Sequence, residues 1–326
     1  MSAVSASSAS PSGASTEGAE PAADGATPGS APTSARSLLA GLVKLARPKQ
    51  WAKNVLVFAA PAAAGVLDNR EWAIDALIAF AAFCLAAAGT YYVNDARDVE
   101  ADRMHPEKRL RPVASGVVPV ALAYAGGVLL LAASLALALT VHANLAYAVG
   151  GYIALTTAYS SVLKHVAVVD LVAVAAGFVL RAVGGAAATD VPISDWFFIV
   201  TSFGALFMIS GKRAAEANEM GDDATEFRSV LAAYSPSYTA YLRSVSSGAV
   251  LVAYCLWAFE RSELTDARLP WYQMSIVPFT IAFFRYALVL DQGRGSAPEE
   301  VILSDRVLQL TGLVWAVVFG LGVYQT

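Results

Sequence analysis

The sequence predicts an all-α, polytopic membrane protein with nine transmembrane helices. Of its 326 residues, 57% are hydrophobic and only 15% are charged, and the mean hydropathy is positive. Apolar stretches of about 20 residues recur along the chain, and a helix of that length spans a hydrocarbon core of roughly 30 Å. This composition excludes an ordinary soluble enzyme of the same length.

The predicted spans follow one another from the first apolar stretch to the C-terminus. With the N-terminus in the cytoplasm, most of the 22 Lys and Arg residues are cytoplasmic; Arg70, Arg261 and Arg268 fall outside, and Arg181 lies within a span. The positive-inside rule therefore predicts a plasma-membrane protein with its N-terminus inside and its C-terminus outside. The nine spans cover residues 51–66, 72–93, 118–140, 143–162, 166–188, 196–210, 238–260, 271–290 and 307–324.

Residues 1–35 differ from the rest of the chain in composition. They are rich in Ala, Ser, Gly and Pro and contain no Lys or Arg, which predicts a disordered cytoplasmic tail. Residues 36–326 are predicted to form the transmembrane catalytic domain. Cys84 and Cys255 lie in apolar spans, so no disulfide framework is expected.

The segment 94–111 holds the densest cluster of charge. Asp95, Asp98 and Asp102 are spaced i, i+3 and i+7, so they share one face if helical geometry continues through the segment. Clustered carboxylates repel one another unless a cation joins them, and Mg²⁺ is usually held by one or two carboxylates together with substrate phosphate oxygens. The sequence therefore predicts a Mg²⁺–diphosphate site, with these carboxylates as metal ligands and catalytic residues. The alternative is a solvated interfacial loop.

Other polar residues gather near the predicted cytoplasmic ends of the spans, where basic side chains suit phosphate recognition. Arg181 lies deeper, within the fifth span, where an arginine costs roughly 2.5 to 3.5 kcal/mol on insertion scales. It is expected to face a polar cavity and to meet an anion or a carboxylate. Two of the lysines have an alternative to binding phosphate. Lys164 would extend its ammonium group to the lipid headgroups, and Lys212 would form a helical ion pair with Glu216. The candidate substrate-binding residues are Lys53, Asn54, Tyr91, Asn94, Lys108, Arg111, Tyr159, Lys164, Arg181, Lys212 and Arg213.

The acidic pattern Asn94-Asp95-x-x-Asp98-x-x-x-Asp102, followed by KRLRPVASG at 108–116, resembles the first Asp-rich motif of the UbiA superfamily of intramembrane prenyltransferases. That resemblance implies a nine-helix bundle with active-site loops at a cytoplasmic mouth. After the sixth span the chain departs from the family pattern. There GKRAAE, at 211–216, stands where family prenyltransferases usually carry a second DxxxD motif, so a second carboxylate-bound Mg²⁺ is not predicted.

Three further segments narrow the resemblance: RPKQWAKN at 47–54, YSSVLKHVAVVDLVAVAAGFVLR at 159–181, and GKRAAE. They are similar to the actinobacterial branch of the superfamily that acts on decaprenyl phosphate in arabinan precursor synthesis. This implies a Mg²⁺-dependent phosphoribosyltransferase that moves 5-phosphoribose from phosphoribosyl pyrophosphate to a polyprenyl phosphate, such as decaprenyl phosphate, for the cell envelope. The bilayer is the other implied partner, no nucleic-acid partner is predicted, and a homo-oligomer is left open.

Two other functions fit parts of the sequence. On the same scaffold, a prenyltransferase would join a polyprenyl diphosphate to an aromatic or quinone precursor. The cations at 211–216 favour phosphoribose, because its donor carries a 5-phosphate as well as a diphosphate. A transporter with a Mg²⁺-gated mouth is disfavoured, since ion pathways place ionisable groups near the midplane whereas these charges gather on one side.

Overall fold

The computed structural model describes residues 35–220, 230, 233–265, 268–292, 301–302 and 304–324. These ranges are mainly helical and contain no β-strand, so the all-α prediction is confirmed. The predicted tail, residues 1–35, lies outside the described residues except for Ala35, which begins the first helix. The α-helices are α1 (Ala35–Leu45), α2 (Ala59–Ala64), α3 (Arg70–Arg97), α4 (Val99–Met104), α5 (Val120–Leu139), α6 (Ala143–Ser161), α7 (Val169–Ala188), α8 (Asp195–Met220), α9 (Pro236–Glu263), α10 (Trp271–Asp291) and α11 (Arg306–Tyr324), with 3-10 helices at Pro48–Phe58, Lys108–Leu110 and Leu163–His165.

Every predicted span coincides with helical residues. Seven helices of the described ranges, namely α3, α5 and α7 to α11, are long and apolar enough to cross a membrane. The fourth predicted span is α6, whose Tyr, Thr and Ser side chains make it more polar. The first span differs in form, because it is a 3-10 helix over Pro48–Phe58 that runs into α2. The protein is therefore a multi-pass membrane protein.

Helix α7 connects the two groups of helices that make up the bundle. Helix α3 packs along α5 and also contacts α6, α7 and the 3-10 helix Pro48–Phe58, while α8 packs along α9 and α10 along α11. Helix α7 touches both α6 and α8, so residues on it can reach either group. One part of the hydrophobic core lies between α3 and α6, where Phe83, Val149 and Tyr152 are buried.

Two adjacent glycines allow α7 to approach its neighbours closely. A Cβ atom on Gly185 would overlap the carbonyl oxygen of Val57, and one on Gly184 would overlap the ring of Phe83. Only glycine leaves room for the backbone at such contacts. Packing within one chain therefore accounts for both residues.

The Asp-rich segment is bent instead of forming one continuous helix. Helix α3 ends at Arg97, Asp98 adopts φ −90° and ψ 11°, and α4 begins at Val99. The expectation that Asp95, Asp98 and Asp102 share one helix face required continuous helical geometry, and that geometry is interrupted at Asp98. The bend leaves Asp95 in the last turn of α3 and Asp102 on the separate helix α4.

Candidate active site

The centre of the site is a buried pair of aspartates joined by one arginine. Asp95 and Asp102 are 1% and 4% exposed. The Nη1 atom of Arg111 donates to Asp95 Oδ1 at 3.2 Å and to Asp102 Oδ2 at 2.7 Å. The structure thus brings together three of the predicted site residues, because charge pairing compensates the cost of removing both carboxylates from water.

A second arginine, Arg47, completes the environment of Asp95. Its Nη2 atom donates to both carboxylate oxygens, at 2.7 and 3.0 Å. Its guanidinium also lies 4.4 Å from the centre of the Tyr91 ring, in a cation–π contact. Arg47 is not among the candidate residues that the sequence predicted, so this contact was missed. The available signal was its position immediately before Pro48, where the chain turns into the 3-10 helix with Arg47 at φ 50°.

Asp98 lies apart from this pair and belongs to a second contact group. Its Oδ1 atom accepts a hydrogen bond from Arg97 Nε at 3.1 Å. Arg97 also donates to Asn94 Oδ1, to Ser161 Oγ and to the carbonyl oxygen of Ser160, at 2.9 to 3.1 Å. Arg97, which the sequence did not single out, therefore ties the Asp-rich segment to the end of α6.

The three predicted carboxylates do not converge on one point. Within the described ranges, no group of three or more His, Cys, Asp or Glu side chains is placed to hold a metal ion. Asp95 and Asp102 remain close enough to share one cationic nitrogen, since both accept from Arg111. A metal at this position would have two carboxylates from the chain, which is the usual protein share for Mg²⁺.

Arg181 is buried within α7, and each of its three guanidinium nitrogens donates a hydrogen bond to a neutral group. It donates to Asn54 Oδ1 at 2.7 Å, to the Gly177 carbonyl oxygen at 2.6 Å and to the Tyr152 hydroxyl at 3.0 Å. Asn54 in turn donates to the Cys84 sulfur at 3.2 Å. The predicted pairing with a carboxylate is not seen in these contacts, because α7 places the guanidinium beside amide, carbonyl and hydroxyl oxygens. Contact with a ligand anion stays a prediction.

Arg213 is the centre of another buried network. It donates to Asp170 Oδ2 at 3.2 Å, to Glu216 Oε2 at 2.6 Å and to the Tyr159 hydroxyl at 3.2 Å. Lys212 Nζ lies 3.7 Å from Glu216 Oε1, which is the helical ion pair considered as the alternative for Lys212. Binding of phosphate by either residue stays a prediction.

Three predicted lysines remain to be placed. Lys53 Nζ donates to Gln50 Oε1 at 2.5 Å, on the 3-10 helix Pro48–Phe58. Lys108 and Lys164 are both partly exposed, and neither forms an ion pair with another residue of the described ranges. These two ammonium groups are therefore available to an anionic ligand.

An apolar cavity of about 580 Å³ lies between the 3-10 helix Pro48–Phe58, α2 and helices α7 to α11. Phe178 forms part of its wall, and the guanidinium of Arg181 lies 5.6 Å from the centre of that ring. One wall residue of the cavity is thus in contact with Arg181, and the rest of the wall continues over residues of the 3-10 helix, α2 and α8 to α11. Other residues of the wall include Leu56, Phe197, Val250, Trp257, Phe283 and Gly312.

The fold and site define a polytopic helical membrane protein with a carboxylate–arginine cluster and an apolar cavity. A sequence profile described as the UbiA prenyltransferase family matches residues 55–320. The chain therefore belongs to the UbiA prenyltransferase family.

The chain is also similar to named bacterial proteins over most of its length. It is 47% identical over 293 residues to the decaprenyl-phosphate phosphoribosyltransferase of Corynebacterium glutamicum, covering 89% of this chain and 88% of that protein. It is 45% identical over 299 residues to the protein of the same name from Mycolicibacterium smegmatis, covering 89% and 94%.

Solved structures share the fold at low sequence identity. A UbiA homolog from Archaeoglobus fulgidus, bound to GPP and Mg²⁺, aligns with a TM-score of 0.62 at 18% identity, covering 88% of this chain and all of that one. Digeranylgeranylglyceryl phosphate synthase aligns with a TM-score of 0.64 at 16% identity, covering 89% and 99%.

Proposed function

We propose that this protein transfers 5-phosphoribose from phosphoribosyl pyrophosphate to decaprenyl phosphate and releases pyrophosphate. The observation that carries the proposal is the 47% identity, over 89% of the chain, to a decaprenyl-phosphate phosphoribosyltransferase. Residues 36–326 would form the catalytic domain, with the N-terminus and the site facing the cytoplasm of the plasma membrane. The product would serve arabinan precursor synthesis in the cell envelope.

The reaction exchanges one C–O bond for another at ribose C1. The bond from C1 to the pyrophosphate oxygen breaks and its electron pair leaves with pyrophosphate, while an oxygen of the acceptor phosphate forms the new bond. The acceptor is already anionic near neutral pH, so no strong general base is required. Catalysis is then mainly positioning and electrostatic stabilisation of the leaving group.

The cations of the chain divide into two groups in this mechanism. Arg47 and Arg111 neutralise the buried carboxylates and fix their positions. Lys108 and Lys164, which have no ion pair among the described residues, bind the phosphates of the donor. Asn94 and Tyr91, beside the Asp-rich cluster, contribute hydrogen bonds to ligand oxygens.

Mg²⁺ fits the donor set of this site. Asp95 and Asp102 offer two buried carboxylates that already share one cationic partner, and Asp98 lies in the same segment. When bound there, Mg²⁺ supplies positive charge against the departing pyrophosphate. The role of the chain is to hold the carboxylates in place and to exclude water around them.

The apolar cavity is proposed to take the first isoprene units of the lipid acceptor. Its wall is almost entirely apolar, and the guanidinium of Arg181 lies 5.6 Å from the ring of Phe178, a residue of that wall. A polyprenyl chain buried there loses contact with water while its phosphate remains near the basic residues.

The test is a transfer assay with purified, detergent-solubilised protein. Labelled phosphoribosyl pyrophosphate, Mg²⁺ and decaprenyl phosphate should give label in the lipid phase, and a chelator should abolish the transfer. Failure of transfer, together with activity on a prenyl diphosphate and an aromatic acceptor, would establish the prenyltransferase alternative instead.

The metal assignment is tested by Asp102→Asn, which removes one of the two buried carboxylates and which we expect to reduce turnover by at least about 100-fold while the protein stays folded and inserted. Asp102 is preferred to Asp95 because its loss leaves the hydrogen bonds of Arg47 and Arg111 to Asp95 in place. Glu100→Gln is the matched control, since Glu100 lies in the same segment with an 80% exposed side chain and pairs with Arg103. Near-normal turnover of Asp102→Asn would refute the metal assignment.

A further inference from the structure

The connection between α6 and α7 ends at a residue with an unusual backbone. Val168, just before α7, has φ 68° and ψ −46°. A β-branched residue rarely adopts a positive φ, because its Cβ substituents crowd the backbone there. Such a conformation persists only where surrounding contacts hold it.

The contact that holds Val168 comes from Tyr234, which is distant in sequence. The Val168 amide donates to the Tyr234 hydroxyl at 2.6 Å. The same hydroxyl donates a short hydrogen bond to Asp170 Oδ1. Tyr234 therefore uses one oxygen to bind both sides of the turn that begins α7.

Asp170 anchors this arrangement in the interior. It is fully buried, and its second oxygen accepts from Arg213 of α8, which also binds Tyr159 near the end of α6. Burial and then the hydrogen bond to Asp170 raise the pKa of Tyr234 well above its ordinary value of 10.0. The hydroxyl consequently stays protonated, and remains a donor to Asp170, throughout the physiological range.

The other end of the connection is fixed to the Asp-rich segment. Arg97 binds Ser161 Oγ and the Ser160 carbonyl oxygen at the end of α6. The short stretch that carries Lys164 is therefore held at its start by the Asp-rich segment and at its end by Tyr234. Rotation of Val168 out of its present conformation would change the path of that stretch.

We propose that Tyr234 is a positioning residue that holds Val168 in its positive-φ conformation and thereby keeps Lys164 aimed at the phosphates of the donor. This inference rests on the proposed function, in which Lys164 binds phosphoribosyl pyrophosphate. Tyr234 itself touches no substrate in this assignment. Its effect passes through the backbone of Val168.

The first experiment compares Tyr234→Phe with its rescue by glycine. Tyr234→Phe should raise KM for phosphoribosyl pyrophosphate by about tenfold, the equivalent of one lost hydrogen bond, with KM for decaprenyl phosphate changed by less than about twofold. Adding Val168→Gly should recover most of the loss, because glycine adopts a positive φ without a holding contact. Tyr238→Phe is the matched control, since its ring stacks on Tyr234 at 5.9 Å between centroids.

Three kinetic results would overturn the proposal: an unchanged Tyr234→Phe enzyme, an equal rise in KM for both substrates, or no recovery on adding Val168→Gly. If Tyr234→Phe cannot be recovered in folded form, the yield of folded protein from the double variant Tyr234→Phe with Val168→Gly tests the holding contact instead. Folded protein restored by Val168→Gly supports the holding contact, and loss in both variants contradicts it.

A second measurement separates this inference from the proposed function. Hydrogen exchange of the Val168 amide in substrate-free protein should be slow in the wild type and in Tyr238→Phe, and faster in Tyr234→Phe. If the wild type transfers no phosphoribose, the proposed function fails while the exchange result still reports on the contact. If transfer is normal and exchange is unchanged in Tyr234→Phe, only the positioning role fails.

Discussion

At the scale of single residues, the site depends on how buried charges are satisfied. Asp95 is neutralised by two arginines, whereas Arg181 is held by neutral oxygens alone. A buried charge that loses one hydrogen-bond partner keeps its desolvation cost, so each partner matters more than an exposed contact would. Asn54 is the most sensitive of these partners, because it is fully buried and donates and accepts at once.

Asn54→Ala is therefore expected to lower the free energy of unfolding by about 1 to 3 kcal/mol. The measurement is unfolding of the detergent-solubilised protein, followed by intrinsic fluorescence. Asn144→Ala is the matched control, since Asn144 is exposed at the start of α6. Equal stability of the two variants would show that Arg181 does not depend on Asn54.

At the scale of secondary-structure elements, helix ends position the functional groups. The bend at Asp98 allows α3 and α4 to bring Asp95 and Asp102 to one arginine. The start of α11 shows the same principle at a second place. Asp305 Oδ1 accepts from the amides of Val307 and Leu308, and Oδ2 accepts from Arg285 Nη2 at 2.8 Å, which joins α10 to α11.

Asp305→Asn should weaken this junction in a pH-dependent way. The hydrogen bond from Arg285, followed by the Leu308 amide, lowers the pKa of Asp305 below its ordinary value of 3.8. A lowered pKa means that the stabilisation is complete above the ordinary value and is lost as the pH falls through the lowered one. The unfolding temperature of Asp305→Asn should therefore lie below that of the wild type at neutral pH, and the difference should close below about pH 4.

The control for this comparison is Asp291→Asn. Asp291 lies at the end of α10 with a side chain 77% exposed and 3.7 Å from Arg243, so its removal should change the unfolding temperature little at any pH. A difference for Asp305→Asn that persists unchanged into acid would contradict the assigned ion pair.

At the scale of the whole molecule, the polar cluster and the apolar cavity belong to different parts of the bundle. The cluster lies on α3, α4 and the segment after them, while the cavity wall is formed largely by α8 to α11. Helix α7 connects the two, because it carries both Arg181 and Phe178. In the proposed function, the charged head of the lipid acceptor would bind near the cluster and its apolar tail would enter the cavity.

Gly312→Phe tests the cavity as the site of the lipid chain. A Cβ atom at Gly312 meets nothing within 4 Å, so a ring can project into the cavity without backbone strain. We expect KM for decaprenyl phosphate to rise by about tenfold, and KM for a short-chain polyprenyl phosphate to change less. Gly320→Phe, on the same helix, with equal space and outside the cavity wall, is the control. An equal effect of both variants would refute the tail site.

Much of the site could be predicted from the sequence, but only where the signal was local. The run of carboxylates, the following basic residues and the intramembrane arginine all stand out against an apolar chain. The hydrogen-bond partners of these residues do not stand out in the sequence, because they come from distant positions. Arg47 binds Asp95 across 48 positions, and Tyr234 binds Val168 across 66. A lone arginine near a membrane surface has the same sequence signature whether it anchors the helix or pairs with a carboxylate.

The sequence by itself determined the class of fold, the positions of the apolar segments along the chain and the family, because these follow from hydrophobic length and short motifs. Tertiary structure alone decided which charges meet. It bent the chain at Asp98, moved Asp98 away from Asp95 and Asp102, and gave Arg181 neutral partners. The physical reason is that membrane spans are set by the hydropathy of consecutive residues, whereas the pairing of buried polar groups depends on how helices far apart in sequence pack together.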